Sequence, residues 1–295
     1  MGMLTLAEGV SSYLESRWLP ALESCDRAEG ILRDRCTGVA WELDTAHAYA
    51  LWALSHLGRW SELSRRVPML LNEARERGDL YASMNLSTYV RSIMGIASDE
   101  AEAARQESLR VMSQWSKHGY HVQHNDQVWA LVQIDLYLGN GQAAWERITH
   151  HWPTLTRSLL MRVQFIRVAM IGLRARCALS AVNAKNGLYD LAQKDASRLD
   201  REKLPWASAQ AMMIRAGVAK LQGHAEEIPL HLSQASAAFA ACDMALCAAV
   251  AEMRLGQVIG GAEGTAKLEQ SRDFMKAQSI VNPDRVADLF APGFK

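Results

Sequence analysis

Apolar residues along this chain recur at steps of three and four. Val163, Ile166, Met170, Leu173 and Cys177 form one such stripe, and Ala101, Ala104, Ser108, Val111 and Trp115 form another. A helix turns once in about 3.6 residues, so each stripe marks the buried face of an amphipathic helix. Alternating runs of Val, Ile and Thr are missing, and no strand is predicted. Ala, Leu, Arg, Glu, Gln and Met dominate, and all favour helix.

The breaks between the stripes repeat. A small or polar residue is followed five places later by Ala, Leu or Ile at 16–21, 58–63, 98–103, 139–144, 187–192, 223–228 and 261–266. Successive copies are 36 to 48 residues apart, room for two helices of about 15 to 20 residues each. The small residue lets one helix end, and the residue five places on lets the next pack closely against it. Asp99 followed by Glu102 has the form of a helix-capping box. A period near 40 with this turn chemistry predicts an all-α, TPR-like solenoid of about seven antiparallel helix pairs in a right-handed superhelix. No linker rich in Pro, Gly or Ser interrupts it, so residues 1–295 are expected to form a single domain, with 281–295 as a capping tail folded over the last repeat. Helical sequence begins at Met3 with no polar capping helix ahead of it, which suggests a piece of a longer protein.

Composition narrows the function classes. Lys plus Arg and Asp plus Glu are each 32, so the formal charge is zero, and the positive balance of a nucleic-acid binder is absent. The most apolar stretch, 235–251, is Ala-rich and carries Asp243, so no membrane span or signal peptide is expected. Five cysteines, an odd number with no C-x-x-C, read as buried reduced thiols of a cytoplasmic protein.

Catalytic motifs are missing: there is no phosphate-binding loop, no nucleotide-binding glycine motif, no nucleophile elbow and no kinase loop. The expectation is a non-enzyme with no cofactor and no metal. His118, His121 and His124 cluster, but a helix-end role is favoured over metal binding. Trp60 and Trp145 lie beside turns and are expected to wedge between helices. Trp41, Trp52, Trp115 and Trp129 fall within helical stripes, with Trp129 a candidate apolar anchor. Arg167 and Arg174 share one side of a single helix, and Arg91 and Arg215 also fall on first helices of pairs, which line the groove in such arrays. These arginines are candidates for contacting a protein or peptide partner through bidentate ion pairs. Their simpler role is salt bridging between repeats, with partners such as Glu146 or Asp195.

Four segments carry a family resemblance: Arg33-Asp-Arg-Cys-Thr-Gly-Val-Ala-Trp-Glu-Leu-Asp-Thr-Ala-His47, Glu73-Ala-Arg-Glu-Arg-Gly-Asp-Leu-Tyr81, Gln133-Ile-Asp-Leu-Tyr137, and Asn282-Pro283 through Ala291-Pro-Gly-Phe294. Together they resemble the C-terminal helical region of large bacterial serine/threonine protein kinases, in which a kinase domain and a STAND-type ATPase precede a TPR-like array. The resemblance spans nearly the whole chain and transfers no catalytic residue. It implies a regulatory region that binds a peptide, a protein, or the parent's own ATPase or kinase domain in its concave groove. The alternative is a small-molecule sensor of the STAND type, which a deep apolar pocket between helices would favour.

Overall fold

In the computed structural model, which describes residues 1–116, 118–181 and 187–294, no strand occurs among the described residues and sixteen α-helices follow one another. Fifteen of them form seven consecutive pairs: α1 (Gly2–Leu14) with α2 (Trp18–Arg35), α3 (Ala40–Leu57) with α4 (Trp60–Glu76), α5 (Leu80–Asn85) and α6 (Arg91–Ala97) with α7 (Ala101–Met112), α8 (Val122–Tyr137) with α9 (Gly141–Arg157), α10 (Gln164–Ser180) with α11 (Leu188–Arg201), α12 (Pro205–Gln222) with α13 (Ile228–Ala240), and α14 (Ala245–Ile259) with α15 (Gly261–Ala277). Helix α16 (Pro283–Phe290) stands alone after them. Each helix packs on its neighbours in sequence, which makes the chain an α-solenoid.

The seven breaks in the sequence are the seven turns within pairs. Ser16, Gly58, Asp99, Gly139, Gly187 and Gly223 each take a positive φ between 59° and 79°, and Gly260 and Gly261 do so before α15. This left-handed residue ends one helix and reverses the chain. The same conformation recurs between elements at Gly38, Gly78, Gly119, Lys203, Asp243 and Ser279, turns that the repeat pattern did not flag. Five places after the break, Ala21, Leu63, Ala144, Ala192 and Ile228 are buried. Ala103 and Ala266 are exposed instead; Ala104 and Gly264 are the buried residues there. In the third pair the shift has a simple cause, since the left-handed residue is Asp99 and not Ser98.

The array curls until distant pairs meet. Tyr13 and Trp18 of the first pair pack on Phe165 of the fifth, at ring separations of 4.8 and 6.0 Å, and Trp18 meets Trp206 of the sixth at 5.7 Å. At Gly58, which closes α3, an added Cβ would come within 2.7 Å of the Leu246 backbone nitrogen, so the second pair seats directly on the seventh. Only glycine allows both the left-handed turn and this approach. The first helices of the pairs are thereby covered on two sides. Helix α10, for example, buries Val168, Met170, Ile171, Leu173, Ala175, Cys177 and Ala178.

Helix α16 and residues 291–294 lie across the concave side, reaching well beyond the last repeat. The Val281 N–H donates to the Ala97 carbonyl at 2.8 Å. Arg285 and the Tyr137 hydroxyl both reach Asp99, at 2.9 and 2.6 Å. Phe290 meets Trp60 at 6.2 Å, and an added Cβ on Gly217 would stand 2.8 Å from the Pro292 carbonyl oxygen. Arg254, only 3% exposed, donates to the Ala291 carbonyl at 3.1 Å and to the Asp288 carboxylate at 2.7 Å. Pairs two to seven therefore all touch this one segment.

Removing Arg254 takes its guanidinium from the Asp288 carboxylate and its donor from the buried Ala291 carbonyl. Arg254→Met is expected to destabilise the chain by about 2–3 kcal/mol in urea unfolding. Arg110→Ala, at an exposed ion pair with Glu107, is expected to change stability by less than about 0.5 kcal/mol. Equal effects would mean that the segment is not held by Arg254.

Candidate functional site

Closure of the superhelix leaves a cavity on its axis. Its walls come from successive first helices: Ser55 and His56 of α3; Ile93 and Ile96 of α6; Trp129 and Gln133 of α8; Ala169, Gly172, Arg176 and Leu179 of α10; Trp206, Gln210, Met213 and Ile214 of α12; and Leu246 and Cys247 of α14. Leu289, Phe290 and Pro292 supply one end. The cavity volume is about 90 Å³. A single water needs about 10–15 Å³, so the space takes several waters or one small organic molecule.

Local sequence sets the wall. Residues 165, 169, 172, 176 and 179 of α10 follow helical spacing, so Phe165, Ala169, Gly172, Arg176 and Leu179 form one stripe. Gly172 has no side chain because the Gln210 side chain occupies that place. A five-residue π-helical turn, Leu86–Val90, interrupts the helix between α5 and α6 and carries Tyr89. Such turns rotate the face that follows. Tyr89 stacks on Trp129 with ring centres 4.3 Å apart and shares a 2.9 Å hydrogen bond with the Ser55 hydroxyl. His56 stacks on Trp18 at 4.3 Å, and its Nε2 lies 3.3 Å from the Tyr13 hydroxyl. Burial pushes the His56 pKa down to about 3, so its imidazole is neutral.

Against this apolar wall a few polar groups stand without partners. The Gln133 Oε1, Gln210 Nε2 and Trp206 Nε1 atoms are buried and find no hydrogen-bond partner in the protein. Arg176 is 9% exposed, and its Nη1 donates to the Leu289 carbonyl at 3.2 Å. Desolvation lowers its pKa from the ordinary arginine value, yet a guanidinium stays charged under any ordinary condition. Near the start of α8, Asp126 is half-buried. Burial raises the phenol pKa of Tyr13, Tyr49, Tyr89 and Tyr120, and the Asp126 charge adds to the rise. Desolvation pushes the Asp126 carboxyl itself up to about 7.

Of the residues singled out from sequence, Trp129 is a wall of this cavity. Arg167 turns to Glu202, making bonds of 2.7 and 2.6 Å. Arg174 turns to Asp195 on α11, at 2.7 and 2.5 Å, with Trp152 stacked 3.8 Å below its guanidinium. Arg215 pairs with Asp200, also on α11. Arg167 and Arg174 hold the two helices of their own pair together, and Arg215 joins that pair to the next. Arg91 is half-buried and adds to the lowering of the Glu107 pKa, which the hydrogen bond from Arg110 dominates. The arginine on the cavity wall is Arg176, two residues beyond Arg174. Sequence reading passed over it, along with Tyr89, Gln133, Trp206 and Gln210.

The histidine cluster serves a helix start. The His121 N–H donates to the His124 Nδ1 at 3.0 Å, and the Trp115 indole donates to the His121 Nδ1 at 3.2 Å. Among the described residues no group of three or more His, Cys, Asp or Glu converges. Of the five cysteines, Cys25 and Cys177 are buried, Cys242 and Cys247 half-buried and Cys36 exposed, so the expectation of uniformly buried thiols fails at Cys36. Trp60 is buried between helices, whereas Trp41 is 59% exposed. Among the described residues no helix is long and apolar enough to cross a membrane.

No protein-family model matches the chain, and no curated protein and no solved structure matches it significantly.

The Asp126 carboxyl binds its proton more tightly in the folded protein than in the unfolded chain, where its ordinary value is 3.8. Its contribution to stability is therefore fully present below about pH 4 and is lost as the pH rises to about 7. The whole shift corresponds to about 4 kcal/mol, and solvent screening of this half-buried side chain leaves about 1–2 kcal/mol. In urea unfolding, Asp126→Asn should match the native protein near pH 4 and exceed its stability by that amount at about pH 8. A variant that is less stable at the higher pH would show that the carboxylate is held by partners.

Proposed function

We propose that this chain is a non-catalytic sensing module that takes a small, largely apolar molecule into the cavity on its superhelical axis. The supporting observation is the cavity itself: aromatic walls from Tyr89, Trp129 and Trp206, a few unpartnered polar atoms, and an end closed by the chain's own Phe290 and Pro292. Small-molecule sites have this make-up, apolar walls with a few fixed polar groups.

A partner peptide in the concave groove is the less favoured reading, because residues 283–294 already lie there and bond to Arg254 and Arg176. Arg167, Arg174 and Arg215 are also committed to carboxylates of this chain. The module we infer is a TPR-like, right-handed superhelix acting in the cytoplasm. In the setting that the sequence resemblance implies, its parent is a serine/threonine kinase with a STAND-type ATPase, and an occupied cavity shifts that parent between off and on states. The walls belong to six of the seven pairs and to residues 289–292, so a bound molecule would stiffen the whole array at once.

Naphthamide, a neutral bicyclic aromatic amide, serves as a probe. It is expected to quench tryptophan fluorescence saturably and to raise the melting temperature with concentration. Ala169→Phe, which fills the cavity wall, should weaken its binding at least about tenfold while the helical circular-dichroism signal is kept. No saturable binding to the native protein, or equal binding to the filled variant, would contradict the reading.

A further inference from the structure

Arg176 is a fixed positive charge on an otherwise apolar wall. Its surroundings set it apart from every other arginine that the structure holds in its interior. Arg254 makes the same kind of bond to a carbonyl of residues 289–291 but also has the Asp288 carboxylate at 2.7 Å. Arg105, Arg147 and Arg174 each have a carboxylate, Asp135 for the first two and Asp195 for the third. For Arg176 no carboxylate lies within salt-bridge distance among the described residues; its protein contacts are the Leu289 carbonyl at 3.2 Å and the Phe290 ring at 5.4 Å. The charges that act on it are the weakly acidic Cys177, Cys247 and Tyr89, and burial pushes all three towards their neutral forms. A buried guanidinium cannot shed its charge and is strongly penalised without a counter-ion.

The neighbouring orphan groups are complementary to the same missing partner. Gln210 Nε2 and Trp206 Nε1 are donors without acceptors, and both residues line the cavity with Arg176. An anion would use all three. The chemistry also bounds its charge. Among the described residues Arg176 is the only cation lining the cavity, and His56, which also lines it, is neutral. A phosphate dianion would want more positive charge or a helix N-terminus. A carboxylate matches one planar guanidinium fork bidentately. The remaining walls, Trp129, Trp206, Ile93, Met213 and Phe290, suit an aromatic or other flat apolar body.

We infer that the ligand of this cavity is an apolar monocarboxylate, its carboxylate held by Arg176 with Gln210 and Trp206 and its body stacked among Trp129, Ile93 and Met213. This rests on the sensing reading above and specifies the ligand that it leaves open. The same contact would report occupancy to residues 283–294: Arg176 also holds the Leu289 carbonyl, so the carboxylate lands on the residue that ties this segment to α10.

Naphthoate and naphthamide share a body and differ by one charge, and calorimetric titration at neutral pH compares them. Naphthoate is expected to bind native protein at least about tenfold more tightly, as a charge-assisted pair implies. Arg176→Met should erase that preference while leaving naphthamide affinity within about threefold, and Arg176→Lys should restore part of it. Should Arg176→Met fail to fold, the native preference and Arg176→Lys still decide: loss of bidentate geometry must cut the preference below the native value. Naphthamide binding as tightly as naphthoate to native protein, or a preference that survives at position 176 without charge, overturns the inference and leaves the cavity reading standing. Binding of neither compound removes both.

Discussion

One segment inside the curl organises this molecule. A solenoid is stable by stacking, and each pair needs only its neighbours. Here the curl brings the second pair onto the seventh through Gly58 and Leu246, and the space inside would be an open tube without residues 283–294. Arg254, sealed beneath that segment, supplies the fixed point. It is a charge taken out of water, and it is stable there because Asp288 and the Ala291 carbonyl meet it. From that point the segment spreads to Ala97, Asp99, Trp60 and Gly217, and a set of nearest-neighbour contacts becomes a single closed body.

Closure creates both the site and its electrostatics. First helices that would face water in an open superhelix face one another instead, and their aromatic side chains meet across the axis. Polar groups caught there sort into two kinds. Ser55, Tyr89, Tyr13 and His56 satisfy each other. Arg176, Gln210 Nε2, Trp206 Nε1 and Gln133 Oε1 are left with a single carbonyl among them. Buried polar groups are normally paired, and these exceptions on one cavity are the groups that the proposed ligand would satisfy.

The repeat count was legible because helix reversal has a local chemistry: a left-handed residue, then a small one where helices touch. The rule slipped by one residue at Ser98 and Asp99, where either could serve as the turn. The curvature was not legible. Whether Arg174 or Arg176 faces the axis depends on how far each pair rotates against the next, and no pattern within α10 records that rotation. Its apolar residues run nearly all round the helix, from Val168 to Cys177, because it is covered on two sides. The stripe holds at Met170, Leu173 and Cys177, where it marks packing between helices rather than the cavity, and fails at Val163, which precedes α10 and is exposed. Arg167 and Arg174 read as groove residues because their seven-residue spacing puts them on one side of the helix, and that side belongs to α11. Of the carboxylates that sequence offers as their partners, Asp195 is met by Arg174, whereas Glu146 accepts from Gln142 and Arg167 meets Glu202 instead.

The account stands or falls on the cavity being a place where a carboxylate binds. A crystal structure of the full chain grown with naphthoate tests that most directly. The account predicts density for one molecule between Trp129 and Met213, its carboxylate within hydrogen-bond reach of Arg176, with residues 283–294 still on the concave face or displaced from Leu289 alone. A lumen collapsed onto its own side chains, with naphthoate bound only on the outer surface, would contradict it.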